Sequence, residues 1–229
     1  QAACNAVQPQ LRPFRVPCYG TGKGQKPQQH GLVEHLAEVD LGGRVLWRWD
    51  VYQYMMGRDP SGQQPRWRWL LAQADGLTGQ ANRHIPSALR PRTLAVYFNH
   101  NALPAHANTV ALDPFDGGVY IHYHGLSTTF KIHRTRHEVM WAVGLMGTLR
   151  QYAPSGRSVH SLTWHAHGWH QLGPHRFLTF DNNVGSQDDR RQTPSSRVVE
   201  LLVDPGQGTA TTTWHWSPGS THYRDIGGG

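Results

Sequence analysis

Apolar and polar residues alternate along short stretches of this chain, and glycine, proline or aspartate separates one stretch from the next. The segment 106–124 starts on His106, turns at DPFDGG and returns through VYIHYH to His124. The segment 164–183 repeats this plan and turns at LGPH. Alternation with a period of two between such turns predicts antiparallel hairpins. Both hairpins start and end on polar side chains, which indicates that these ends face a ligand.

Apolar strands that end near a tryptophan form a second recurring pattern. Each of them follows another predicted strand, and they are GGRVLWRW (42–49), RHEVMWAV (136–143) and TATTTWHW (209–216). Joined to the histidine-led hairpins, they give four-stranded units over 106–143 and 164–216, with 31–49 as the tail of a third. Four antiparallel strands in a repeat of about 40–50 residues are typical of propeller blades. The predicted fold class is all-β, a β-propeller of four-stranded antiparallel blades with about three recognisable blades. A β-sandwich with chance tryptophan positions is the alternative.

The other segments lack this regularity. Residues 1–30 are rich in glutamine, proline and glycine, and they predict an extended N-terminal arm. The propeller domain is assigned to residues 31–229. Within it, residues 51–95 predict a long insertion or a degenerate blade, because an irregular connection of this length is uncommon in a compact domain.

Composition narrows the classes of function. The net charge is +7, but the lysines and arginines are scattered along the chain. No basic helix or nucleic-acid motif accompanies them, so nucleic-acid binding is not predicted. No apolar run is long enough to span a membrane. The 25 glycines and 15 prolines suit many short strands and turns.

Two cysteines, Cys4 and Cys18, lie close together in the N-terminal arm. A local disulfide between them is the favoured interpretation, and it predicts an oxidising compartment. Two free thiols in a cytosolic protein are the alternative. The chain opens on Gln1, as a processed mature N-terminus would, although a fragment would look the same. We expect a secreted or periplasmic protein.

Histidines occur in pairs that are separated by one residue. On a strand, His165 and His167 share one face about 7 Å apart, and His122 and His124 form a second such pair. Joined by a third imidazole such as His106, these pairs would form an open zinc or copper site. The spacing carries little weight in a chain with 16 histidines. No cofactor is therefore predicted, and a metal site stays an alternative.

Four segments follow one another in a characteristic order. The first is HANTV at 106–110 followed by Asp113, and the second joins STTFKIHR to EVMWAVG. In the third, His167 lies thirteen residues before the FDN of 180–182, and the fourth is SRVVE at 196–200. Together they resemble the arylsulfotransferase family, in its bacterial form that does not use an activated nucleotide sulfate donor. The earlier segment HGLVEH…EVDLGGRVLWRWD is similar to a blade of the same family.

This resemblance implies a six-bladed β-propeller in a secreted or periplasmic enzyme. Such enzymes move a sulfuryl group from an aryl sulfate to a phenol through a sulfated histidine. The resemblance implies that His167 is the nucleophile, with His106 and Asn108 as its neighbours in the site. We expect His106, Asn108 and His124 to hold the sulfate oxygens. The chain departs from the family pattern at His124, where the family carries arginine, and at Asn183, where FDNG has become FDNN.

Aromatic and polar residues flank these histidines. Trp164, Trp169 and Tyr123 are predicted to stack on the phenolic ring. Asp181 and Asn182 end a strand, where they orient the nucleophile or shape a turn. The expected partners are an aryl sulfate and a phenol, and the oligomeric state is left open, with a homo-oligomer as one form. The alternative function is a non-catalytic propeller that binds a ligand or protein through its histidine- and tryptophan-lined face.

Overall fold

The computed structural model describes residues 35–63, 66, 106–183 and 196–218. Strands dominate these ranges, and one short helix accompanies them. In chain order the elements are β1 (His35–Val39), β2 (Val45–Asp50), α1 (Val51–Met56), β3 (Ala107–Leu112), β4 (Val119–Tyr123), β5 (Thr128–Ile132), β6 (Val139–Gly144), β7 (Arg150–Tyr152), β8 (Ser158–Val159), β9 (His167–Gly173), β10 (Arg176–Asp181), β11 (Arg197–Asp204) and β12 (Thr209–Trp216).

Strands β3 to β6 form a four-stranded antiparallel sheet in chain order. Every residue of its central strands β4 and β5 is buried, so both faces of the sheet are covered. One face packs on β1, β2 and α1 through Leu36, Trp49 and Phe130. The other face packs on a second sheet through Tyr120 and Phe177. A sheet that is covered on both sides is what the stacking of blades around an axis requires.

The second sheet has six strands in the order β8-β7-β12-β11-β10-β9. Strands β9 to β12 are an antiparallel meander that repeats the plan of the first sheet. The hairpin β7–β8 extends this meander, since β7 pairs in parallel with β12. Along β10 and β11, alternate side chains such as Phe177, Val199 and Leu201 enter the core, as the two-residue period of a strand dictates.

The prediction of an all-β chain built from four-stranded antiparallel units is confirmed. The units predicted over 106–143 and 164–216 are the strands β3–β6 and β9–β12, and β1–β2 is the hairpin predicted within 31–49. The first strands of the two units, β3 and β9, contact each other. The innermost strands of neighbouring propeller blades make this contact. The number of blades and the closure of a ring stay predictions.

Several predictions fall wholly or partly outside the described residues. These include the arm 1–30 with its cysteines Cys4 and Cys18, and most of the segment 51–95. The described part of that segment is α1 and a short irregular stretch after it. Within the described ranges, no helix is long and apolar enough to cross a membrane.

A buried ion-pair network joins the two sheets at the turn between β3 and β4. Asp113 accepts the N–H of Phe115 at 2.9 Å, as a turn residue does. It also accepts a hydrogen bond from Lys131 Nζ at 2.5 Å, and Tyr120 donates to the same carboxylate. From β9, Gln171 Nε2 donates to Asp113 at 3.3 Å. Because Asp113 follows the last residue of β3, this network lies at the end of the strand opposite its histidine-led start.

Candidate functional site

The strand directions bring four histidines to one end of the two sheets. His106 directly precedes β3, and His124 directly follows β4, which is antiparallel to β3. His165 lies just before β9, and His167 is the first residue of that strand. Because β3 and β9 contact each other, the four side chains meet at this end. We call His106, His124, His165 and His167 the histidine cluster.

His124 lies at the centre of the histidine cluster. The centroid of its ring is 4.6 Å from that of His165 and 4.8 Å from those of His106 and His167. The rings of His165 and His167 stand edge-on to it, at 78° and 62°. The backbone N–H of His124 also donates to the carbonyl of His106 at 2.9 Å. Three of the four predicted catalytic side chains, His106, His124 and His167, are therefore in contact.

The backbone beside the cluster adopts left-handed conformations at residues other than glycine. The φ angle is 52° at His106, 54° at His165 and 45° at Ser127. Ser127 Oγ accepts the N–H of His165 at 3.1 Å. A Cβ added to Gly144 would lie 2.0 Å from the carbonyl oxygen of Ser127. Only glycine therefore allows β6 to come this close to the backbone of Ser127. Left-handed residues of this kind are costly and are concentrated at functional sites.

A buried ion pair holds the segment that leads into β9. Asp181 is fully buried, and its Oδ1 accepts the N–H of Trp164 at 2.7 Å and that of Asn183 at 2.9 Å. Arg197 Nε donates to Oδ2 of Asp181 at 2.9 Å, and Arg197 also donates to the carbonyl of Leu162 at 3.1 Å. Burial raises the pKa of Asp181, while Arg197 and the two N–H groups oppose that shift. In this structure Asp181 positions backbone next to the cluster.

Two polar side chains fix the start of β9. Asn108 Nδ2, from β3, donates to the carbonyl of Ala166 at 2.8 Å. Thr179 Oγ1, from β10, donates to the carbonyl of His167 at 2.8 Å. The amide of Asn108 thus reaches the edge of the cluster, where it binds backbone. Its predicted contact with a sulfate oxygen stays a prediction.

Only one member of each histidine pair lies within a strand. Strand β4 ends one residue before His124, and β9 begins at His167, after the left-handed His165. Strand alternation does not extend across these breaks. His122 stays within β4, where its Nδ1 lies 2.7 Å from Thr129 Oγ1. In the described ranges, no group of three or more His, Cys, Asp or Glu side chains is arranged to hold a metal ion.

Three histidines of the cluster, His124, His165 and His167, are held in their neutral form. Burial lowers the pKa of His124 to about 3, and the positive charges that His165, His167 and His106 can carry act in the same direction. Burial also lowers the pKa of His165 and of His167, and His106 adds to both shifts. The Nε2 atom of His167 is buried without a hydrogen-bond partner among the described residues. A neutral imidazole with an uncommitted nitrogen has the properties of a nucleophile.

The residues predicted to contact the phenolic ring lie in packed surroundings. Tyr123 and Trp164 belong to the core beneath β1 and β2. Trp169 lies in the second core, parallel to the ring of His122 with centroids 6.2 Å apart. Asn182 is fully buried, and neither polar atom of its side chain has a partner in the part of the chain that the structure describes. Roles for these residues in substrate binding stay predictions.

A groove of about 490 Å³ lies at the opposite end of the strands. Its walls come from the turns after β3, β9 and β11 and from the strands β5 and β6, and they include Lys131, His175 and Asp204. Lys131 is paired there with Asp113 and Asp116. None of the lining residues belongs to the histidine cluster, so the groove and the candidate site are separate.

The fold and the site together define a mostly β protein with a cluster of histidines where a four-stranded and a six-stranded sheet meet. A comparison with protein families matches residues 19–226 to the model of the arylsulfotransferase (ASST) family. Because this match covers most of the sequence, the chain belongs to the arylsulfotransferase family. No curated protein matches the chain.

Proposed function

We propose that this protein transfers a sulfuryl group from an aryl sulfate to a phenolic acceptor, in two steps through a sulfated His167. Membership of the family supports aryl sulfotransfer as the class of reaction. The observation that carries the histidine step is the state of His167. Its imidazole is neutral, and its buried Nε2 atom has no partner among the described residues, beside three further imidazoles.

In the first step, the lone pair of His167 Nε2 forms a bond to sulfur. The bond between sulfur and the aryl oxygen breaks, and its electron pair leaves with that oxygen, which takes a proton from a neighbouring imidazole that has itself gained this proton from solvent. Donors on His106, His124 and Asn108 stabilise the charge on the remaining sulfuryl oxygens. The products of this step are a phenol and a sulfohistidine.

The second step reverses the first with a different phenol. A neighbouring imidazole takes the proton of the acceptor hydroxyl as its oxygen attacks sulfur, and the N–S bond electrons return to His167. The first phenol leaves before the acceptor binds, so the kinetics are ping-pong. We further propose a secreted or periplasmic location, on the strength of the Cys4 and Cys18 pair in the sequence.

A second function is favoured by a specific observation, namely that predicted binding groups are already occupied. The amide of Asn108 binds the carbonyl of Ala166, and the rings of Trp164 and Tyr123 pack in the core. A propeller that uses its histidine- and tryptophan-lined face only to bind a ligand or a protein would tolerate this arrangement. A measurement of turnover with an aryl sulfate and a phenol distinguishes sulfuryl transfer from binding alone.

Incubation of the protein with a chromogenic aryl sulfate is expected to release a burst of phenol equal to about one per active site. Intact-mass measurement should then find one added sulfuryl group per chain, which disappears when a phenolic acceptor is supplied. The adduct should map to the peptide that contains His167. If neither a burst nor an adduct forms with any of several aryl sulfates, sulfuryl transfer is wrong and the binding function is the better account.

A further inference from the structure

The histidine cluster is an unusual place to receive an anion, because three of its four imidazoles carry no charge at neutral pH. Burial and mutual repulsion together keep His124, His165 and His167 deprotonated. An aryl sulfate, by contrast, carries a full negative charge on its sulfuryl oxygens. A negative charge placed against a buried histidine favours the protonated form, and it does so most strongly where water is excluded.

We propose that the histidine cluster binds the sulfate monoester anion together with one proton from solvent, and that this proton resides on His124. The inference rests on the proposed function, since it places the sulfuryl group at the cluster. It makes His124 a cation that exists only while the substrate is bound. The proton enters with the substrate and is then available to the aryl oxygen that leaves sulfur.

Geometry selects His124 as the residue that holds this proton. It is the one ring of the cluster in contact with all three others, at centroid distances of 4.6 to 4.8 Å. His124 as a whole residue is 9% exposed, whereas His106 is exposed. A charge on His124 therefore lies closest to the centre of the site, where an anion that contacts several rings must sit.

The groups that face His124 come from each element around it. His106 precedes β3, His122 lies in β4, and His165 and His167 lie at the start of β9; their charges all oppose protonation of His124 in the free protein. On the side of β10 and β11, the ion pair of Asp181 with Arg197 is satisfied within itself and by backbone groups. Mutual repulsion of the histidines limits the uptake to one proton, because a second would stand beside the first.

The affinity of the site for the anion depends on pH, because binding changes the number of protons that the protein holds. The complex holds one proton more than the free protein, so lowering the pH favours the complex. Affinity for the anion should rise by up to about tenfold for each pH unit, in the range where the complex is protonated and the free protein is not. A site that bound the anion through fixed arginine charges would show no such slope.

Calorimetric titration with phenylmethanesulfonate tests the proposal. In this probe carbon replaces the bridging oxygen, so the sulfonate cannot be transferred and stays a monoanion throughout. Titrations between about pH 5.5 and 7.5, in two buffers of different ionisation enthalpy and with a chelator present, report both the affinity and the number of protons taken up. The expected result is tighter binding at lower pH, with an uptake that approaches one proton per chain.

Matched variants test whether the proton taken up with the anion resides on His124. His124→Gln should bind the sulfonate with little pH dependence and almost no proton uptake, and His124→Arg should bind it more tightly at pH 7.5 without uptake. His170→Gln, at an exposed position of β9, should behave like the unaltered protein.

Two results overturn the inference: binding by the wild-type protein without proton uptake, or unchanged proton uptake in His124→Gln. In either case, a phenol burst from aryl sulfate would still support sulfuryl transfer. Absence of sulfonate binding at every pH also overturns the inference, and the burst assay then decides whether the proposed function falls with it.

Discussion

Replacement of His167 by alanine is expected to abolish both the phenol burst and the sulfuryl adduct. The attacking nitrogen is lost, and no covalent intermediate can then form at this position. Loss of a nucleophile lowers the rate by a factor on the order of 10⁴ or more, because the remaining groups of a site act through the intermediate that it forms. Single-turnover release of phenol and intact-mass measurement check the two effects separately.

The control for this variant is His170→Ala. His170 lies on the same strand β9, but its side chain is exposed and outside the histidine cluster. It should keep the burst, the adduct and the melting temperature of the unaltered protein. The assignment is wrong if His167→Ala retains the adduct, and a loss of the adduct in His165→Ala alone would move the nucleophile to His165, whose ring is equally close to His124.

Much of the fold follows from local signals in the sequence. The β3–β4 hairpin, for example, joins residues in simple alternation through a turn of aspartate, proline and glycine, and Val110 pairs with Ile121 as that pattern requires. The parallel pairing of β7 with β12 has no comparable signal. It joins Gln151 to Ala210 across a long stretch of chain, and only the packing of the complete sheet determines it.

The candidate site is less accessible to sequence reasoning because its geometry depends on backbone conformations and on tertiary contacts. Spacing suggested that His165 and His167 lie on one strand, but His165 precedes β9 and has a left-handed φ, and its ring contacts that of His124. A left-handed histidine has no marker in the sequence, unlike a left-handed glycine. The order of the family-like segments identified His167, and only the structure shows that the rings of His165 and His167 both contact His124.

Arg197 is the functional residue that the sequence-based argument missed. It stands next to Ser196 in a segment noted only for its resemblance to the family, yet its guanidinium is the partner of the buried Asp181. A signal was available, since an aspartate at the end of a predicted central strand needs a cation or several N–H groups. The identity of that cation depends on strand register, which pairs Asp181 with Arg197.

Substitution of Arg197 by leucine is expected to destabilise the protein by about 3–5 kcal/mol, the usual cost of leaving one member of a buried ion pair without its partner. The side chain of Asp181 is 0% exposed and that of Arg197 is 15% exposed, so water cannot replace the lost contact. Denaturant unfolding measures this change in the free energy of unfolding.

Arg176→Leu is the matched control on the same strand pair. It removes an ion pair with Glu200 in which the arginine is 56% exposed, and it should cost less than about 1 kcal/mol.

The pH dependence of Arg197→Leu gives a sharper test, because it isolates the charge of Asp181 from lost packing. Without the guanidinium, burial raises the pKa of Asp181 further above its unfolded value, so the folded state holds a proton that the unfolded state releases. The variant should therefore lose most stability at a pH above the raised pKa of Asp181 in the folded protein, and recover part of it as the pH falls through that pKa toward the unfolded value. Adding Asp181→Asn should restore much of the loss at neutral pH, since the amide oxygen can still accept the N–H groups of Trp164 and Asn183. If Arg197→Leu costs no more than Arg176→Leu, or if its cost is the same at every pH, the ion pair does not hold the segment before β9.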